Sequence, residues 1–199
     1  MGEMKLKKVT IAFTDALVEA KAIGDGDPRF GAKFIIEPGS EHEKLLDAEM
    51  LKVAKEKWKD DGEAVFALLK EKDKLCFIKK EYKDKKGVPY DGFKGMYYLS
   101  AGDPKSPATI IDRFGVEVLG PKVGTGKEQI RNAERLIYSG CQVHASYDIW
   151  AQDNTFGRRI NAKLRGVMWA GDGERFGGGS PPASADEFAD LAEDAESLV

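Results

Sequence analysis

A mainly β domain with one or two inserted α-helices and a trailing acidic tail is the fold class that this sequence predicts. Three observations lead there. Segments with two-residue apolar periodicity open and close the chain, and one stretch of helical periodicity lies between them. After Gly171 the composition collapses into Gly, Pro, Ser, Ala and acids, which bury too little apolar surface to fold. The 199 residues, 42% of them hydrophobic, suit one medium domain with its own core. We therefore expect a folded body over residues 1–176 and a flexible acidic tail over 177–199.

The elements follow in order. Lys5 to Phe13 alternates, with Val9, Ile11 and Phe13 on one face, and reads as a strand. Gly24-Asp25-Gly26-Asp27-Pro28 breaks it, and Phe30 to Ile36 reads as a second strand that could complete a hairpin. Pro38-Gly39 ends that strand, and Ser40 with Glu43 three places on has the form of a capping box. Leu46, Met50, Val53 or Ala54, and Trp58 then recur at helical spacing, predicting an amphipathic helix over Glu41 to Lys59. A shorter helix is expected over Glu63 to Lys72, with Val65, Phe66 and Leu69 inward. Short strands follow at Cys76 to Tyr82, Gly95 to Ser100, Thr109 to Ile111 and Val116 to Val118. Last come two long strands, Tyr138 to Ala151 and Arg158 to Ala170, around a loop at Gln152 to Gly157.

Charge divides the chain. The full sequence has a formal net charge of −3, with 31 basic and 34 acidic residues. Six of the acids, Asp186, Glu187, Asp190, Glu193, Asp194 and Glu196, fall in residues 177–199, which hold no Lys or Arg. The body alone is therefore mildly basic. A basic globule with a tethered polyanion points to a body that binds an anionic ligand and a tail that imitates it. No run approaches the roughly 18 apolar residues of a membrane span. No secretory leader is expected at the N-terminus, so the protein is expected in the cytoplasm. Cys76 and Cys141 lack Cys-x-x-Cys spacing and read as buried free thiols, and with His42 and His144 they show no metal-ligand spacing. Neither metal nor cofactor is expected.

The final hairpin can be read face by face. Cys141, Val143, Ala145, Tyr147 and Ile149 form one face of its first strand, and Gln142, His144, Ser146, Asp148 and Trp150 the other. On the second strand Ile160, Ala162 and Leu164 alternate with Arg159, Asn161, Lys163 and Arg165. Three cations and an amide then share one face, with no acid alternating among them to relieve their repulsion. Trp150 and Trp169 fall on the same outward parity if no bulge intervenes. Cations for phosphates and rings for unstacked bases are what a single-stranded nucleic acid needs. Lys79, Lys80 and Tyr82 extend the pattern, as do Lys94, Tyr97 and Tyr98, where one of the two adjacent tyrosines must be buried and the other displayed.

Two motifs are decoys. Val123-Gly124-Thr125-Gly126-Lys127 resembles a phosphate-binding loop, but Pro121 stands where its first glycine belongs and Glu128 where a magnesium-holding hydroxyl belongs. Asp103, Asp112, Asp148 and Asp153 could serve a two-metal nuclease, yet their spacing does not demand it.

Several runs carry a family resemblance: Tyr138-Ser139-Gly140-Cys141, Ile149-Trp150-Ala151-Gln152-Asp153-Asn154, Gly157-Arg158-Arg159-Ile160-Asn161-Ala162 and Asp172-Gly173-Glu174-Arg175-Phe176-Gly177-Gly178. Gly95-Met96-Tyr97-Tyr98-Leu99-Ser100-Ala101 and Ile111-Asp112-Arg113-Phe114-Gly115 belong with them. Together they resemble a bacteriophage single-stranded DNA-binding protein family of the T7 type. The resemblance implies a five-stranded Greek-key OB-fold barrel elaborated by helix. It adds Arg113 and Arg158 to the expected DNA-binding residues. It also implies that the acidic tail competes for the DNA groove and meets replication proteins such as polymerase, helicase or primase. The tail departs from the T7-type pattern, because its only ring, Phe188, lies well before Leu198-Val199.

The expected function is sequence-tolerant single-stranded DNA binding in phage replication or recombination, without catalysis. Duplex DNA becomes a further ligand once the tail is removed, since phosphate contacts do not count strands. The alternatives are a metal-dependent phage nuclease and a protein-only replication adaptor that acts through its tail.

Overall fold

The computed structural model describes residues 3–22 and 27–177. Among the described residues eight strands form one sheet: β1 (Glu3–Ala12), β2 (Phe30–Ile36), β3 (Phe77–Ile78), β4 (Tyr97–Asp103), β5 (Thr109–Ile111), β6 (Glu117–Leu119), β7 (Gln142–Asn154) and β8 (Gly157–Gly171). Their spatial order is β3-β4-β2-β1-β7-β8-β5-β6. All neighbours are antiparallel except β5 and β8, which run parallel. The five-stranded barrel expected from the resemblance is thus replaced by a longer, open sheet.

That sheet curls until β4 and β8, three strands apart in its order, lie side by side. Two links tie them across the gap. Ile160 N–H on β8 donates to the Lys74 carbonyl ahead of β3 (3.1 Å), and Lys163 Nζ meets Asp103 Oδ2 on β4 at 2.7 Å.

Between β2 and β3 stand two helices, α1 (Glu41–Trp58) and α2 (Gly62–Glu71), close to their predicted bounds. The capping box forms: Ser40 Oγ accepts from Glu43 N–H at 3.3 Å, and Glu43 Oε2 reaches back to Gly39 N–H at 2.6 Å. Leu46, Met50, Val53, Ala54 and Trp58 are buried, as their spacing predicts. A third helix, α3 (Lys127–Leu136), exceeds the one or two expected. Ile130, Ala133 and Leu136 recur at helical spacing and turn one narrow face to the core, a signal that the sequence reading passed over.

The core fills the inside of the curl, with Leu6, Ile11, Phe34, Ile36, Leu99, Tyr147 and Ile149 under α1 and α2. Cys76 and Cys141 are buried free thiols within it. Burial pushes their pKa values up to about 12 and about 11.

Two irregularities reset which side chains face inward. In β1 the register shifts between Leu6 and Val9, with Lys8 at φ 55°, so that both apolar residues reach the core. In β8, Ser146 pairs with Gly166 but Tyr147 with Leu164, which makes Arg165 a bulge. Alternation changes phase there. Trp169 consequently packs against the core instead of lying outward as the uninterrupted parity predicts. The hairpin turn is also tighter than expected, because Asn154 pairs with Gly157 and only two residues remain outside the ladder.

The chain leaving β8 is fastened to the body. Phe176 N–H donates to the Ser139 carbonyl at 3.0 Å, Tyr138 Oη donates to Asp172 Oδ1 at 2.9 Å, and Arg175 lies 4.0 Å from the Tyr138 ring centroid. A side chain at Gly92 (φ 78°) would strike the Phe176 ring, so glycine is required there. Gly177 N–H then reaches Asp91 Oδ2 at 3.1 Å. The predicted tail residues Asp186, Glu187, Phe188, Asp190, Glu193, Asp194 and Glu196 lie outside the described residues.

Trp58 joins α1 to the hairpin through Nε1 donating to Asp153 Oδ2 at 2.7 Å. Trp58→Phe keeps the ring packing and loses this bond, and should cost about 1 kcal/mol in urea denaturation. Trp58→Ala should cost about 3–5 kcal/mol.

Candidate nucleic-acid interface

Because β4 and β8 meet through side chains and a loop instead of a continuous ladder, a groove of about 970 Å³ runs between them. Its floor is β2 and β4, from Phe30 to Lys33 and from Ser100 to Asp103. One wall is the β7–β8 hairpin, with Trp150, Gln152, Arg159, Asn161 and Lys163. The turn after α2 contributes Asp73 to Cys76, and Phe13, Tyr82 and Tyr90 line the groove with them.

Phe13 leaves β1 at φ 60°, which turns its ring into the groove instead of the core. The ring stands edge-on to Tyr82 and Tyr90, with centroids 5.4 and 5.2 Å away. Tyr82 and Tyr90 are stacked at 5.2 Å, and Phe93 and Tyr98 back them from the body. Trp150, about two-fifths exposed, also faces the groove, from the β7–β8 hairpin.

Seven cations line the groove, namely Lys21, Arg29, Lys33, Lys74, Lys105, Arg159 and Lys163, against the three carboxylates of Asp15, Asp73 and Asp103. Two of those carboxylates are already engaged, Asp73 with Lys80 at 2.6 Å and Asp103 with Lys163. Arg159 has no ion-pair partner among the described residues. The surplus of positive charge favours an anionic ligand. Burial opposes the ionisation of Asp103, but hydrogen bonds from Lys163 and from the Lys105 and Ser106 backbone outweigh it and hold its pKa below the ordinary value.

Of the residues expected from sequence, the groove brings together Tyr82, Trp150, Arg159, Asn161 and Lys163, with Tyr98 just behind Tyr82. Asn161 Nδ2 donates to Gln152 Oε1 across the hairpin at 3.2 Å. The others lie elsewhere. Lys79 bonds Glu43 and Asp47 on α1. Burial works against its charge, but the two carboxylates prevail and raise its pKa. Lys80 is held by Asp73, and Lys94 is exposed on a turn outside the groove. Tyr97 packs against the core beside Phe77, and Arg113 covers Phe114 in the β5–β6 turn. Arg158 pairs with Asp153 at 3.3 Å, and Arg165 on its bulge with Asp148 at 3.5 Å. Trp169 is against the core.

Two of the three cations read as a stripe on β8 therefore have counter-charges, Asp103 for Lys163 and Asp148 for Arg165, while Asp153 holds the neighbouring Arg158. Those same contacts occupy three of the aspartates weighed for a nuclease. The fourth, Asp112, accepts from the Phe114 and Val116 N–H groups. Among the described residues no three His, Cys, Asp or Glu side chains gather as a metal site.

Sequence reasoning missed Phe13, Lys21, Arg29, Lys33, Lys74, Lys105 and Gln152 as groove residues. Lys33 left a visible sign, a single cation inside the apolar run Phe30-Gly31-Ala32-Lys33-Phe34-Ile35-Ile36.

These features define a class of curled-sheet proteins with a cationic, ring-lined groove open to an extended anionic chain. Within it, the chain belongs to the family described as Enterobacter phage Enc34, ssDNA-binding protein, which matches residues 2–198. Protein p50 of Acyrthosiphon pisum secondary endosymbiont phage 1 is 31% identical over 203 residues, 99% of each chain. The fold is shared with the single-stranded DNA-binding protein from bacteriophage Enc34 in complex with ssDNA (TM-score 0.65, 22% identity, 88% of this chain and 90% of that one). It also resembles gp2.5, the single-stranded DNA-binding protein encoded by bacteriophage T7 (TM-score 0.50, 14% identity, 98% and 96% covered).

The lowered pKa of Asp103 gives stability that is present above the carboxyl's unfolded value, about 4, and is lost as pH falls through the folded value. Asp103→Asn should therefore destabilise the protein by about 1–2 kcal/mol at pH 7. The difference from the parent should shrink as denaturation is repeated at falling pH below about 4.

Proposed function

We propose that the protein is a sequence-tolerant single-stranded DNA-binding protein of phage DNA replication or recombination, acting in the host cell without catalytic chemistry. The observation that carries this reading is the groove, where Trp150 and the Phe13–Tyr82–Tyr90 rings share one channel with seven cations. Extended backbone phosphates neutralise the cations, and splayed bases stack on the rings. Membership in the family supports the ligand class. The strands β4, β2, β1, β7 and β8 supply the curled core that an OB-fold uses for the same purpose.

Residues 1–176 form the DNA-binding body and residues 177–199 the acidic tail. The tail departs from Gly177 beside Asp91, next in sequence to groove residue Tyr90. Its carboxylates compete with DNA for the groove cations, and it also meets replication proteins. Deleting it exposes the cations, which would then take duplex DNA as well.

Fluorescence titration with oligo-dT tests the reading. Binding should weaken with salt by about 0.7 log units per phosphate contact per log unit of salt. Trp150 should be quenched by DNA, and Trp150→Ala should cost about 1–3 kcal/mol of affinity. Arg159→Ala should weaken binding and reduce the salt slope, and removal of residues 177–199 should tighten it. Failure of both full-length and tail-deleted protein to bind oligo-dT at low salt would refute the proposal.

A further inference from the structure

Lys33 is an expensive residue in its place. It sits mid-strand on β2, between Ala12 of β1 and Ser100 of β4, and is only 9% exposed. Its Nζ donates to Ser100 Oγ at 2.8 Å and lies 4.1 Å from the Tyr82 ring centroid and 4.9 Å from that of Tyr98. Among the described residues no carboxylate is its partner. Ring faces and one hydroxyl return only part of the hydration that an ammonium gives up on burial. An apolar side chain at this position would serve the fold better.

Yet Lys33 lines the groove, directly beneath the tyrosine cluster. A cation whose burial costs stability, and whose position meets the ligand path, is explained by the ligand. We propose that Lys33 Nζ holds a backbone phosphate at the aromatic end of the groove, while the adjoining base stacks on the Tyr82–Tyr90 pair. This rests on the reading of the groove as the path of single-stranded DNA.

The surrounding charges fit an anionic occupant. Among groups that line the groove with Lys33, Asp103 is engaged by Lys163 and Asp73 by Lys80, and Asp15 lies in the turn after β1. Lys74, Arg159 and Lys163 add positive charge. The nearest phenols, Tyr82 and Tyr98, have pKa values raised by burial, so neither supplies an anion to Lys33 near neutral pH. Burial pushes the Lys33 pKa down to about 8. The ammonium that the phosphate needs is then lost across the pH range just above neutral, and DNA binding should fall with it. Folding stability runs the other way: a lysine pKa below its unfolded value of about 10.4 makes the fold more stable as pH rises from 8 towards that value.

The test is oligo-dT titration of the full chain from pH 7 to 9.5 at several salt concentrations, comparing the parent with Lys33→Met and Lys33→Arg, beside thermal melting of each. The parent should lose affinity across this range. Lys33→Met should bind about tenfold more weakly at pH 7, with a salt slope smaller by about 0.7 and a flatter pH profile, while melting no lower than the parent at pH 7. Lys33→Arg should keep its charge and therefore its affinity at pH 9.5. A Lys33→Met protein with the parent's salt slope and pH profile overturns the inference, as does a Lys33→Arg protein that loses affinity with pH as the parent does. Should the parent fail to bind oligo-dT at any pH, the groove reading falls first and this inference with it.

Discussion

The lateral meeting of β4 and β8 is the constraint on which the rest of the structure depends. A sheet of this length would ordinarily twist open, leaving its two long faces far apart. Here the Lys163–Asp103 pair and the Ile160–Lys74 backbone bond fasten strands that the ladder itself does not join. The curl encloses the core on one side. On the other it leaves a channel where the ladder is missing, and every groove residue discussed above owes its position to that gap. A fully closed ladder would have satisfied more backbone groups and left no site.

The same gap sets the electrostatics. Of the four cations on β8, Arg158, Lys163 and Arg165 have partners on β7 or β4, so much of the apparent basic stripe is internal bracing. What remains for a ligand is concentrated on the floor and walls of the groove, in Lys33, Lys74 and Arg159. Of these, Lys33 is buried and Lys74 partly so, and cations set in a channel act on an anion through less water than an exposed stripe does. Fewer charges in the groove therefore outweigh more charges on an open strand.

What could be read in the sequence was local. The Ser40–Glu43 cap, the apolar spacing of α1 and α2, and the β7–β8 hairpin each rest on residues within a few positions of one another; the structure has both helices close to their predicted bounds, and the hairpin with its first strand shifted three or four residues along the chain. The groove was only half legible, because it arises from contacts far apart in the chain. Arg159, Lys163 and Trp150 could be found from strand alternation, but Lys74, Phe13 and Lys33 join them only through the curl. The bulge at Arg165 defeated the reading of Trp169, although Gly166 beside it, a lone glycine inside a strand pattern, is the kind of residue that marks a bulge. Helix α3 was overlooked although Ile130, Ala133 and Leu136 mark a narrow apolar face, because the remaining positions are almost all charged or amide residues.

The two buried thiols have a practical side. Cys141 is fully buried and Cys76 is 6% exposed beside the groove, and burial raises both thiol pKa values far above neutral, so little thiolate forms at neutral pH. Both thiols should therefore react slowly with maleimides. A single cysteine introduced at the exposed hairpin turn, at Thr155 for instance, would be a far more accessible thiol, and a dye placed there would report from the tip of the β7–β8 hairpin without any change to the core.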